Sequence, residues 1–458
     1  MIDSSSLAAD IANCSARHLA GLLRAGDLSA VDLIDHLTNR ISFLNPDINA
    51  FTLLCLEEAR SQAASMDEDA SRGAWRGPLH GLPYVVKDVF DVAGMVTTFG
   101  CRPLIENMAT EDAIHVARLR AAGAVIIGKT NLPEFALGGQ TTNRLVGTTR
   151  NPLDPSKSVA GSSGGAAAAL ASGMTVLADG SDLGGSLRAP AAWTGTLGLR
   201  PSSGTVPWKS GHALPIDLHG PGPMGRCVDD IVLMLGIMQG AHPDMPRSWT
   251  LSEDKPLPER PNGKYRLAWS PVPCGARVDP EIKEVLTEVV GCIERDGHQV
   301  EETCPDLKDM LKVQSVFRRL NTLMEAGPSI DGREMQFARN VTKTVLDGKA
   351  LSPEDLSRAM RLQGECWSKL SATFDTFDFL IWPTTSGTAC SADLADEAMD
   401  EDWIALTTTP ALGIPALSLP AGRLADGMPV GLQILGPRGS DFALLEFARK
   451  IETLLSHS

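Results

Sequence analysis

The chain has 458 residues, 43% of them hydrophobic and 21% charged, proportions that build a sizeable core and exclude a disordered chain. A formal net charge of -15 argues against nucleic acid or an anionic membrane as a partner, since both select clustered lysine and arginine. Nine cysteines, an odd count with no C-x-x-C pair and no metal spacing against the nine histidines, read as reduced thiols in packing roles.

The N-terminus lacks a basic stretch followed by an apolar core, and no apolar run approaches about 18 residues, so a cytoplasmic location is expected. Ser29-Ala-Val-Asp32 has the form of a capping box. Val31, Ile34, Leu37, Ile41 and Leu44 follow at helical spacing, which predicts an amphipathic helix ended by Asn45-Pro46. Ala50 to Leu56 reads as a strand, then a helical run through Ala64 leads to a loop from Ser71 to Pro78. The apolar run Gly81 to Val86 is a strand ending in Lys87. Helix Glu111 to Ala122 then feeds a strand from Ala124 to Gly128. This alternation of period predicts an α/β fold, a large mixed central sheet covered by helices.

Residues 305–375 become helix-rich and poorer in glycine, with Ser352-Pro353-Glu354-Asp355 as a helix start. A helical cap-like insertion is expected there, whose Phe317, Leu320 and Leu323 read individually as core packing and together as candidates to shape the way to the site. The chain returns to the sheet at Phe377 to Pro383. Thr409 to Gly436 reads as two strands joined by a turn, and a helix from Asp441 to Leu455 closes the chain. One domain over 1–458 is expected, with an N-terminal helical segment (1–65), a core (66–304), the insertion (305–375) and the return (376–458).

Two patterns imitate nucleotide sites. Gly123-Ala-Val-Ile-Ile-Gly128-Lys129-Thr130 matches the P-loop expression, but its variable residues form an apolar strand and no phosphate cradle. Gly220-Pro-Gly-Pro-Met-Gly225 matches G-x-G-x-x-G, yet its prolines remove amides, and it reads as a turn. No H-E-x-x-H occurs, so no metal is implied, and no cofactor is expected. His80, His212 and His219 read as ordinary loop or core histidines.

The chemistry concentrates in two runs of small residues, Ser158 to Leu170 with Gly161-Ser162-Ser163-Gly164, and Gly180-Ser181-Asp182-Leu183-Gly184-Gly185-Ser186-Leu187-Arg188. A nucleophilic serine needs a base and donors aimed at a developing oxyanion. The glycines let the amides of Leu183, Gly184, Gly185 and Ser186 turn toward one point, with Ser186 as the attacking hydroxyl. Lys87 is the candidate base, because a lysine kept from water loses its charge.

In these segments the chain resembles the amidase signature family, from about Leu79 to Arg226 and again from Trp403 to Glu452. The resemblance implies a triad of Lys87, Ser162 and Ser186, with Ser162 on a cis peptide bond relaying a proton between the other two. It implies supporting roles for Ser181 and Asp182, and Ser163 at the start of a helix could orient the loop. Arg188 is read as a structural anchor. Phe135 to Gln140 maps to a wall of the acyl pocket, with Ala136, Gly138 and Gln140 as substrate-binding candidates. Thr409-Pro410-Ala411-Leu412 departs from the asparagine and glycine of many members and is given no catalytic role.

The expected activity is hydrolysis of small neutral amides, anilides and carbamates (urethanes) included, by a homodimer that needs no partner chain. Three alternatives stay open: the glutaminase-like component of a tRNA-dependent amidotransferase, a carboxybiuret or allophanate hydrolase, and a relative that only binds.

Overall fold

Capping signals set the first elements. In the computed structural model, which describes residues 11, 14–209, 218–252, 263–394 and 404–456, helix α1 (Ala16–Ala25) begins where the Ser15 hydroxyl accepts the His18 N–H. Helix α2 (Ala30–Ile48) begins at Ser29 in the same way and buries Leu33, Ile34, Leu37 and Ile41. It does not stop at Asn45-Pro46 but runs through Pro46 to Ile48. Proline sits in the last turn, where the Asn49 N–H closes onto the Asn45 carbonyl and the Asn45 side chain accepts the Ala50 N–H. Leu56 is likewise helical. Strand β1 (Phe51–Leu54) is short, and α3 (Leu56–Ser71) begins directly after it.

The core follows as β2 (Pro83–Lys87), α4 (Ile114–Ala121), β3 (Val125–Thr130), the small hairpin β4 (Thr142–Asn143) and β5 (Gly147–Thr148), α5 (Gly164–Ala171), β6 (Leu177–Asp182), α6 (Arg188–Thr194), β7 (Leu197–Arg200), β8 (Gly220–Gly225) and α7 (Val228–Met238). Then come β9 (Arg266–Trp269), α8 (Pro280–Arg295), β10 (Gln299–Glu302), three helices α9 (Met310–Ile330), α10 (Arg339–Lys349) and α11 (Pro353–Phe374), and β11 (Phe379–Pro383). The chain ends with α12 (Ile404–Leu412), β12 (Ala416–Arg423), β13 (Pro429–Leu435) and α13 (Asp441–Ser456).

Eleven strands form one mixed sheet in the order β1-β3-β2-β6-β8-β7-β12-β13-β11-β9-β10. Strands β3, β2 and β6 run parallel, β8 runs antiparallel beside β6, and β7, antiparallel to β8, resumes the first direction. Every residue of β2, β3 and β6 is buried, as expected where helices cover both faces of a sheet. The P-loop imitation is strand β3, whose Lys129 is buried and paired with Asp88 at 2.7 Å. A second, smaller core joins Phe135, Leu137 and Cys101 to Ala326, Ile330, Phe337 and Val341 of the α9–α10 region. No described helix is long and apolar enough to cross a membrane.

Two further segments correct the sequence reading. Gly220 to Gly225 is no turn but the central strand β8. Prolines 221 and 223 alternate, so both missing N–H groups fall on one edge and the other edge keeps its ladder. Thr409 to Leu412 is helical rather than extended. It is the last turn of α12, which closes where the Gly413 N–H reaches the Thr409 and Pro410 carbonyls at φ +67.

Gly222 is the tightest point of β8, since an added Cβ would run into the Leu199 carbonyl, the Leu187 side chain and the Pro201 ring. Gly222→Ala is expected to destabilise the fold by about 1–3 kcal/mol, as overpacking of a filled core does. Urea unfolding of the variant tests this, and an unchanged midpoint would mean that β8 has room to shift.

Candidate active site

Parallel pairing of β2 with β6 brings their C-terminal ends to one edge of the sheet, so Lys87 and Ser181 leave it side by side. The loop before α5 arrives on the same side. There the Lys87 ammonium, fully buried, donates to the hydroxyls of Ser162 at 2.7 Å, Ser163 at 2.9 Å and Ser181 at 3.0 Å. Burial pushes Lys87 down to about 7, against the opposing pull of Asp182 and Asp179.

The loop carrying Ser162 is fixed from several sides. The Gly161–Ser162 peptide is cis. The Thr141 hydroxyl donates to the Ala160 carbonyl at 2.8 Å, and the Gly161 backbone lies against the Gly138 carbonyl and Gly139, with no room for a Cβ. Ser163 ties the two small-residue runs together. Its N–H donates to the Ser186 carbonyl at 3.1 Å, and its hydroxyl reaches the Ser181 carbonyl at 3.3 Å.

The second run folds around one carboxylate. Asp182, buried, accepts the Gly185 N–H at 2.7 Å, the Leu187 N–H at 3.3 Å, and Arg188 Nε and Nη2 at 2.9 and 3.0 Å. Burial opposes its charge, yet the Arg188 guanidinium holds the carboxyl below its ordinary value. Arg188 then reaches across the chain, with Nη1 donating to Gln433 Oε1 at 2.7 Å and Nη2 to the Leu406 carbonyl at 2.8 Å. Arg200 donates to the Asp182 and Leu218 carbonyls on the other side.

Ser186 is left half-exposed. Among the described residues its hydroxyl meets no protein partner. The amides of Leu183, Gly184 and Ser186 likewise meet no protein acceptor there, whereas the Gly185 amide is engaged by Asp182. The Leu183 carbonyl accepts the side-chain amide of Gln314 from α9.

The remaining candidates lie around this cluster. Ala136 and Gly138 are part-exposed, but the Gln140 carboxamide is buried and occupied, donating to the Ser391 carbonyl at 3.0 Å and accepting from Ser158. Phe317 lines a cavity of about 200 Å³ with Leu218, Gln363, Leu412 and Arg438, while Leu323 packs on the smaller core. His80 and His219 face Met66 and Glu325 respectively, away from Lys87. His212 lies outside the described residues.

Sequence reading missed the polar group beneath Lys87. The buried Asp179 carboxylate accepts the Lys87 backbone N–H at 2.6 Å, meets His115 Nε2 at 3.1 Å, and accepts the Tyr84 hydroxyl. The available signal was Asp179 itself, an acid two residues before Ser181 in a fully buried strand.

A buried lysine among serine hydroxyls, facing a glycine loop that presents a serine, at the edge of a helix-covered mixed sheet, is hydrolase architecture of the α/β class. The chain belongs to the amidase signature family: the family model described as Amidase matches residues 32–445. It is an amide-hydrolysing enzyme. It is 33% identical to an acylamidase of Rhodococcus erythropolis, over 96% of this chain and 95% of that protein. It is 32% identical to a glutamyl-tRNA(Gln) amidotransferase component of Symbiobacterium thermophilum, over 97% of each. Its fold is similar to that of a bacterial aryl acylamidase of the amidase signature family, with a TM-score of 0.88, 25% identity and 96% of both chains covered.

The anchor at Asp182 gives a direct expectation. Arg188→Ala leaves a buried carboxylate without its ion-pair partner, which is expected to lower stability by about 3–5 kcal/mol. Chemical denaturation measures it, and a loss below about 1 kcal/mol would mean that Arg200 and the loop amides suffice to hold Asp182.

Proposed function

We propose that this amidase hydrolyses small neutral amides, anilides first and carbamates second, through an acyl-enzyme on Ser186. The observation that carries this reading is the set of three hydroxyls around Lys87 Nζ. A neutral amine has two N–H donors and one lone pair, so one of the three hydroxyls must donate to it. Ser163 has a carbonyl acceptor of its own, and Ser162 is the nearest hydroxyl, so Ser162 is assigned that proton.

The reaction follows in order. Lys87 takes the Ser162 proton as Ser162 takes that of Ser186, and Ser186 Oγ attacks the carbonyl carbon. The oxyanion is assigned to the free amides of Leu183, Gly184 and Ser186, with the Gly185 amide holding the loop through Asp182. Collapse breaks the C–N bond, and the relayed proton leaves with the nitrogen. Water then cleaves the acyl ester by the reverse relay. Ser163 and Ser181 keep Lys87 aimed, and Asp182 with Arg188 shapes the loop.

The names of similar proteins, an acylamidase and an aryl acylamidase, support anilides as substrates. The second reading, a glutaminase-like component that delivers ammonia to a partner, is favoured only by relatives of comparable identity.

Intact mass after a fluorophosphonate is expected to rise in the wild type and stay fixed in Ser186→Ala, and the isolated wild-type chain is expected to release aniline from an acyl anilide. A labelled but inactive chain that turns over glutamine only with a partner would favour the second reading. Labelling elsewhere than Ser186 would sink the assigned nucleophile.

The pH profile is an independent check. Lys87 is charged below about 7 and neutral above it, so kcat/KM is expected to fall about tenfold per pH unit on the acid side and to level off above. Lys87→Ala is expected to lose that limb together with about 10²–10⁴-fold in turnover. A variant near wild-type rate at neutral pH would show that another group serves as base.

A further inference from the structure

All nine cysteines are free thiols, yet two of them meet: Cys274 and Cys304 have their Sγ atoms 3.9 Å apart. They follow the neighbouring parallel strands β9 and β10, which pair Trp269 with Glu302 and leave the sheet at the same edge. Cys274 sits in the short turn Pro273–Gly275 at φ 54, and Cys304 stands on the stretch leading to α9. The Cys274 N–H donates to Cys304 Sγ at 3.3 Å, and both thiols approach the Pro305 carbonyl, at 3.6 and 3.4 Å. Both residues are part-exposed.

This surrounding treats the two sulfurs unequally. The hydrogen bond with the Cys274 side chain holds Cys304 below the ordinary thiol value, helped by the Cys274 N–H and Ser270 and opposed by burial and Asp306. Burial instead pushes the thiols of Cys55, Cys101, Cys227, Cys366 and Cys390 up. Thiolate character, access and a second thiol within reach are the attributes of an oxidant-sensitive site.

We propose that Cys304 and Cys274 are a peroxide-oxidised modification site, Cys304 being the reacting thiol and Cys274 the one that resolves it. The Cys304 thiolate attacks one oxygen of hydrogen peroxide, the O–O bond breaks, and hydroxide leaves and becomes water on taking up the proton given up by Cys304. Cys274 sulfur then attacks the resulting sulfenic acid, the S–S bond forms, the S–O bond breaks, and the oxygen departs as a second water with the Cys274 proton. Two thiols are oxidised and one peroxide is reduced. A disulfide of about 2.05 Å requires the sulfurs, now 3.9 Å apart, to approach by about 2 Å.

The bond would join two supports of the catalytic loop. The turn Pro273–Gly275 packs on α12, which supplies the Leu406 carbonyl to Arg188, and Cys304 precedes α9, which supplies Gln314 to the Leu183 carbonyl.

The test treats the reduced full-length protein with hydrogen peroxide and reads intact mass and unreduced peptides. The expected result is a loss of two hydrogens, reversed by dithiothreitol, with one cross-linked peptide joining Cys274 to Cys304. In Cys274→Ser the same treatment is expected to leave a dimedone-reactive sulfenic acid on Cys304 and no mass loss. A wild type that gains oxygen without cross-linking, that pairs other cysteines, or whose Cys304 is over-oxidised as fast as in Cys274→Ser would overturn the proposal. None of these readouts depends on the assignment of Ser186.

Discussion

The site depends on a buried lysine that is denied a carboxylate. Among the described residues the Lys87 ammonium touches only hydroxyls, although two buried aspartates stand near enough to act on it electrostatically. Each aspartate is turned to other partners. Asp179 is saturated by the Lys87 backbone N–H, Tyr84 and His115, and Asp182 by Arg188 and the loop amides. Had either carboxylate closed on Nζ, the ion pair would favour the charged form and remove the base proposed for this site. Desolvation therefore dominates because the counter-ions are committed elsewhere.

The fold makes that commitment possible by mixing strand directions. Parallel β2 and β6 bring Lys87 and Ser181 out at one edge, and antiparallel β8 then lets Arg200 donate to both the Asp182 and the Leu218 carbonyls from the adjoining end. Tight backbone contacts at Gly161, Gly185 and Gly222 let the loops approach one another to distances that a Cβ would forbid. Helix α9 spans the assembly, touching Leu183 through Gln314 near its start and the Phe135–Leu137 core near its end.

Much of this was legible in local sequence. Ser29 and Ser352 announce helices because a hydroxyl three residues before an N–H is a local geometry, and both caps form. The run Leu82 to Val86 announces a buried strand and with it a buried Lys87 stem. What escaped were non-local facts. Gly220 to Gly225 looks like a turn because proline and glycine are turn residues, and only its neighbours β6 and β7 make it a strand. The occupied Gly185 amide could not be foreseen without knowing where Asp182 points, nor could Gln140 be seen to bond Ser391, far along the chain. Pair partners are written in the packing and not in the periodicity.

The Arg188 anchor carries a consequence for how the enzyme comes into being. Asp182 and Arg188 are close in sequence and can pair as soon as β6 and α6 are made, but Leu406 and Gln433 come more than two hundred residues later. While the chain is still being synthesised, the guanidinium has two of its donors unmatched and the Ser186 loop is unsupported on one side. The loop is completed only when β13 slots between β12 and β11, one of the last acts of synthesis. A chain cut short before Gln433 would retain Lys87, Ser162 and Ser186 and still lack the scaffold that holds the Ser186 loop in place.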